Sequence, residues 1–171
     1  MEKRYKVLRY FAYVIEILIV FMVQETPDLI PGVFGARPVL LIPVALSIAM
    51  FESETAAMGF GLLCGLLVDF GFGHTLGFHG LLLTVMCYMI GLMVLNLLHT
   101  NLITAVFVAA IALAIIFLLQ WLFFFVFANY QGSGYVLLTH YLPKYGYTLI
   151  LMPVAFYFNR AFALLLKPKE A

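Results

Sequence analysis

Six long apolar runs govern what this 171-residue chain can fold into. They cover Val7–Val23, Pro38–Phe51, Ala56–Phe72, Gly80–Leu98, Leu102–Ala128 and Tyr145–Leu166. A helix rises about 1.5 Å per residue, so crossing a hydrocarbon core of about 30 Å takes about 20 residues. The fourth, fifth and sixth runs meet that length, and the first and third fall slightly short. The second is the weakest. Its fourteen residues reach only about 21 Å, and Pro43 lies inside it. It reads as a short tilted span or as a re-entrant segment shielded by neighbours; we adopt the spanning reading. The expected fold is therefore all-α, a polytopic membrane bundle of about six transmembrane helices that forms one domain over residues 1–171 with no soluble part.

Composition narrows the function classes. Hydrophobic residues make up 65% of the chain and charged residues 10%, with a mean hydropathy of +1.11. A soluble domain is about 45–50% apolar and about 25% charged, so this chain has too little charge to coat a water-facing globule. It also lacks the basic stripe of a nucleic-acid binder. Cys64 and Cys87 lie inside apolar runs and read as small packing residues, with neither a disulfide framework nor a zinc spacing.

Charge placement predicts the topology. Lys3, Arg4 and Lys6 precede the first run and Arg9 falls at its start, and no small-x-small cleavage site follows Val23, so the run is expected to stay as a span. With six crossings both termini share one side, which then carries those four residues with Arg160, Lys167 and Lys169, whereas the other side carries Arg37 and Lys144. That imbalance is the positive-inside pattern and predicts cytoplasmic ends. The connections Gln24–Arg37 and Asn129–Lys144 are expected to be outward-facing loops. Trp121 to Tyr130, Tyr145 and Tyr147 mark the outer interface, and Tyr10, Tyr13, Tyr157 and Phe158 the inner one.

The most informative stretch runs from Gly59 to Leu81 and holds seven of the 13 glycines. Ala57, Gly61 and Gly65 are spaced by four, and Asp69 continues the series, so all four share a helical face. Small residues on one face let another helix approach closely in lipid. That helix belongs to the same chain or to a partner, and the two readings can coexist. Asp69 is expected to cap backbone N–H groups of the following turn or helix, with Gly71, Gly73 and Gly77 allowing the turn. His74 and His79 read as solvated loop residues and no metal site is expected. Glu16 lies mid-way along the first run, and an acidic residue there faces the bundle interior. Gln120, Asn96, Asn159 or a tyrosine hydroxyl are its candidate partners. No phosphate loop, nucleophile elbow or HExxH occurs, so no catalysis and no cofactor are expected.

Spaced glycines, then Gly65, Leu66, Leu67 and Asp69, then the glycine loop with Gly73 and Gly77 and an apolar helix from Leu81, together resemble the rod shape-determining protein MreD family. The span plan and basic start agree over the whole chain; the motif covers Gly59–Leu81. The resemblance implies a bacterial inner-membrane scaffold or adaptor of the cell-elongation machinery that supports lateral peptidoglycan synthesis. It implies a bitopic MreC-like partner and, indirectly, an MreB-like cytoskeleton and cell-wall synthases, with the bilayer itself as the only other contact and no small-molecule substrate. The alternative is the substrate-binding membrane subunit of a vitamin-type uptake transporter. Such subunits dock through small residues spaced by four in their first helix, where this chain offers only Ala12.

Overall fold

The computed structural model describes residues 2–27, 29, 31–32, 37–72, 77–96, 101–128 and 132–165, and within them every regular element is helical. In chain order these are α1 (Glu2–Glu25), α2 (Leu41–Ala49), α3 (Glu54–Phe72), α4 (Phe78–Asn96), α5 (Leu102–Trp121), α6 (Ser133–Val136), α7 (Leu142–Ile150) and α8 (Met152–Leu165). Wide π-helical turns extend α5 over Leu122–Val126 and join α6 to α7 over Leu137–Tyr141. Four stretches among the described residues are long and apolar enough to cross a membrane: Arg4–Glu25, Glu54–Gly71, Leu102–Val126 and Gly134–Leu165. The apolar part of α4, Phe78–Val94, is slightly shorter. The protein is an integral membrane helix bundle.

The second run departs from expectation. Its helix covers nine residues, Leu41–Ala49, rather than Pro38–Phe51, and nine residues rise about 14 Å, half of the hydrocarbon core. Each of those residues is buried, and α2 touches α1, α3, α4, α5, α7 and α8. A helix that is apolar all round belongs in an interior, so α2 is the hub of the bundle rather than a lipid-facing span. Ser47 Oγ donates to the Ala155 carbonyl at 3.1 Å and fastens α2 to α8. The expected loop Asn129–Lys144 is also helical from Ser133 onward. Pro143 falls in the first turn of α7, where a missing N–H costs little.

Polar and aromatic contacts fix the helix directions. Tyr13 packs edge-on against Phe162 with centroids 6.4 Å apart, and Glu16 meets Asn159, so α1 and α8 run antiparallel. Leu41 N–H donates to Gln24 Oε1 at 3.3 Å, while Glu52 pairs with Arg9, so the α2 segment runs back along α1. Arg4 and Arg9 thus lie on the side of the bundle toward which the C-terminal end of α8 runs, with Arg160 beside Asn159 at the level of Glu16; Lys167 and Lys169 lie outside the described residues. Tyr13 was expected at the interface, but it is fully buried between Phe60 and Phe162, because its position on α1 faces the core.

The closest helix pair is the α3–α4 hairpin, and its glycines explain why. A Cβ on Gly65 would lie 2.5 Å from the His79 carbonyl oxygen and 2.7 Å from the Gly80 nitrogen. One on Gly61 would lie 2.6 Å from the Leu83 carbonyl oxygen and 2.9 Å from Cys87 Cβ, and one on Gly91 would lie 2.8 Å from Glu54 Cα. Backbone therefore touches backbone along the hairpin, the device that dispersion-driven packing in lipid rewards. Gly65→Ala should lower the midpoint of thermal unfolding in detergent, at a cost of about 1–3 kcal/mol for overpacking against rigid backbone. Gly59→Ala, where a Cβ meets nothing within 4 Å, should leave the midpoint unchanged, and equal effects at both sites would refute this packing account.

Candidate functional site

The face formed by Ala57, Gly61, Gly65 and Asp69 is covered by α4 of the same chain. Of the two occupants left open by the sequence, the internal one fills it, and no room remains there for a partner helix. The stripe ends at a polar junction. Asp69 is fully buried near the end of α3, and His79 is 1% exposed in the first turn of α4. Asp69 Oδ1 accepts the backbone N–H of His79 at 3.1 Å and lies 2.8 Å from the His79 ring Nδ1. Asp69 Oδ2 accepts the backbone N–H of Gly80 at 3.0 Å.

The physical cause lies in the start of α4. The first turn of any helix leaves backbone N–H groups without partners, and they carry the positive end of the helix dipole. Here the preceding residue is Gly77, whose φ of +89° lies in the left-handed region that favours glycine, and it has no side chain to cap with. The carboxylate of α3 reaches across the hairpin and takes that place. The hydrogen bond between the His79 ring and the Asp69 carboxyl group fixes the ring orientation. His79 is therefore a buried partner of Asp69 rather than a solvated loop residue. The ten-residue spacing between Asp and His across a glycine turn was the signal for it.

The other glycines divide. Gly71 lies within α3, not in the loop, and its bare Cα accommodates the Glu25 carboxylate at the end of α1. Gly73 and His74 lie outside the described residues. Gly77 stands at the turn itself.

A second polar contact lies deep in the bundle. Glu16 is 5% exposed and Asn159 fully buried. Asn159 Nδ2 donates to Glu16 Oε1 at 3.1 Å and to the Ala155 carbonyl at 3.0 Å. Of the partners considered for Glu16, the structure selects Asn159. Gln120 is buried on α5 without joining this pair. Glu16 Oε2 and Asn159 Oδ1 have no hydrogen-bond partner among the described residues.

A third contact escaped sequence reasoning. Arg9 Nη2 donates to Glu52 Oε2 at 2.9 Å, with Arg9 Nε 2.5 Å from Glu52 Oε1. Both side chains are largely withdrawn from solvent. Burial pushes the Glu52 carboxyl above the usual carboxylate range, and the neighbouring Arg9 charge opposes that rise. The pair joins the start of α1 to the turn between α2 and α3. Separated by 43 positions, it carries no local sequence signature.

Chemically, these groups tie helices together. The carboxylates of Asp69 and Glu52 face donors from their own chain, and no group of three potential metal ligands occurs among the described residues. A family model described as rod shape-determining protein MreD matches residues 4–162. No curated protein and no solved structure matches the chain.

Asp69→Ala removes the acceptor of buried backbone donors, each costing about 1–3 kcal/mol when left unsatisfied. It should lower the unfolding midpoint more than Asp69→Asn, which keeps one acceptor oxygen; the comparison is made by thermal unfolding of purified protein in detergent. For the Arg9–Glu52 pair, a double-mutant cycle with Arg9→Ala and Glu52→Gln should give a coupling of about 1–3 kcal/mol, between the exposed and fully buried cases. Additive single effects would mean that the pair is incidental.

Proposed function

The chain belongs to the rod shape-determining protein MreD family, and from that premise we propose that it is a non-enzymatic scaffold of the bacterial cell-elongation machinery. The family match across residues 4–162 is the observation that carries this reading. In this reading the bundle sits in the cytoplasmic membrane with both termini inside. It holds a bitopic MreC-like protein and through it acts on an MreB-like cytoskeleton and on lateral cell-wall synthases.

Two features support the proposal. The described polar side chains of the interior are engaged mostly in fastening helix to helix, which suits a rigid platform better than a reaction centre. The start of α1 brings Arg4 and Arg9 toward one end of the bundle, where each basic residue near an anionic surface contributes about 1 kcal/mol of attraction. This favours the inward placement of that end. A scaffold without soluble domains works through helix faces and helix ends, and the exposed apolar positions of α1, such as Val7, Phe11 and Met22, provide such a face.

Depletion of the protein in a rod-shaped host is expected to turn cells round before growth stops, as followed by phase-contrast microscopy and by the site of new wall labelling. Unaltered shape combined with loss of uptake of a single nutrient would instead establish the transporter reading.

A further inference from the structure

The contact between Glu16 and Asn159 is half satisfied, and its two loose ends match. Glu16 is 5% exposed on α1, and Asn159 is fully buried on α8. Asn159 Nδ2 gives its two hydrogens to two acceptors, Glu16 Oε1 at 3.1 Å and the Ala155 carbonyl at 3.0 Å. Two acceptors around one atom fix the orientation of the amide, because a flipped amide would set Oδ1 against both of them. Oδ1 is left over, and so is Glu16 Oε2; each is buried without a hydrogen-bond partner among the described residues. Oε2 shares a carbon with Oε1, and Oδ1 shares a carbon with Nδ2, so both stand at the same contact.

The surroundings supply no donor to either oxygen. Glu16 borders an apolar cleft of about 300 Å³ between α1, α2 and α8, otherwise lined by residues such as Ile19, Val20, Pro43, Val44 and Val154. The helices packed against α1 are α2, α3 and α8. From α2 the Ser47 hydroxyl is already donated to the Ala155 carbonyl. On α3 the titratable group within reach of Glu16 is the buried Cys64 thiol, which bonds to neither oxygen. On α8 Arg160 is exposed, and no cation among the described residues lies within ion-pair distance of Glu16. Tyr13 Oη, one turn earlier on α1, also bonds to neither oxygen. An ionised Glu16 would therefore be a buried charge without a cation, with one of its oxygens lacking any donor, which is costly at bilayer depth.

We infer that Glu16 holds a proton in the folded protein and donates it to Asn159 Oδ1, closing a paired acid–amide clasp between α1 and α8. One proton removes both deficits. Placed on Oε2 it gives Oδ1 its donor, while Nδ2 continues to donate to Oε1, so acid and amide face each other through two parallel bonds. Loss of the proton sets a negative oxygen against a second acceptor, and the clasp opens as the acid ionises. The fold thus contains a proton-operated fastening between α1 and α8, beside the cleft that separates them. The inference stands apart from the scaffold reading, and neither depends on the other.

Infrared difference spectra of the full chain in lipid bilayers provide the test. At neutral pH the parent should show the carbonyl band of a protonated carboxyl group that shifts in heavy water and is absent from Glu16→Gln. The Glu16→Gln chain should fold as the parent does, because its amide donates to Asn159 Oδ1 and accepts from Nδ2 without titrating. Asn159→Leu should move the band to the higher frequency of an unpaired acid. A pH profile gives a second readout that needs only the parent and Glu16→Gln. Stability from the clasp is present while the acid keeps its proton and is lost as pH rises through its ionisation in the folded chain; unfolded, the acid ionises in the ordinary carboxylate range. Between those two points the folded-to-unfolded ratio of the parent should fall about tenfold per pH unit relative to Glu16→Gln, as measured by denaturant unfolding in detergent. Absence of a Glu16 band at neutral pH, a band left in place by Asn159→Leu, a Glu16→Gln chain that does not fold, or parallel pH profiles of the two proteins would overturn the inference.

Discussion

A bilayer core supplies no water to satisfy a stray polar group, and this constraint organises the molecule. A polar side chain at depth is costly without a partner, and where that partner lies on another helix the bond sets the position of a helix. Asp69 fixes the start of α4, Asn159 meets Glu16 and aligns α8 with α1, and Ser47 holds α2 to α8. Apolar packing alone distinguishes weakly between helix neighbours in lipid, because lipid tails are as apolar as leucine. A handful of hydrogen bonds therefore specifies which helices meet and in which register.

Small side chains complement this framework. The hairpin of α3 and α4 brings main chain against main chain at Gly61, Gly65 and Gly91, positions where even one methyl group would collide with backbone atoms. The close approach in turn places the Asp69 carboxylate within reach of the first turn of α4. Tight packing and capping are thus one arrangement: without the glycines the acid would be too far from the N–H groups that it serves.

Much of this was legible in the residues themselves. The apolar runs gave the helices α1, α3, α4 and α5 to within a few positions, since length and hydropathy act locally. The spacing of Ala57, Gly61, Gly65 and Asp69 identified a close-packed face and an acid at its end. Which helix covers that face was not legible, because an i, i+4 stripe is identical whether its neighbour lies in the same chain or another. The brevity of α2 was hidden for a similar reason: its flanks, Pro38 to Leu40 and Met50 to Phe51, are as apolar as the helix. Arg9 and Glu52 are joined only by the fold, so no periodicity announced them. Tyr13 followed an interfacial rule of thumb, but the face of α1 on which it sits governs its burial.

The tie between Glu16 and Asn159 has a temporal side. The two residues are separated by 143 positions, and ribosomes extend chains at about 5–20 residues per second. For on the order of ten seconds after α1 leaves the ribosome, its acid has no amide to meet, because that amide has yet to be made. Biogenesis must therefore keep α1 beside water, the insertion channel or an attendant protein until α8 emerges, and the later segment completes the placement of the earlier one.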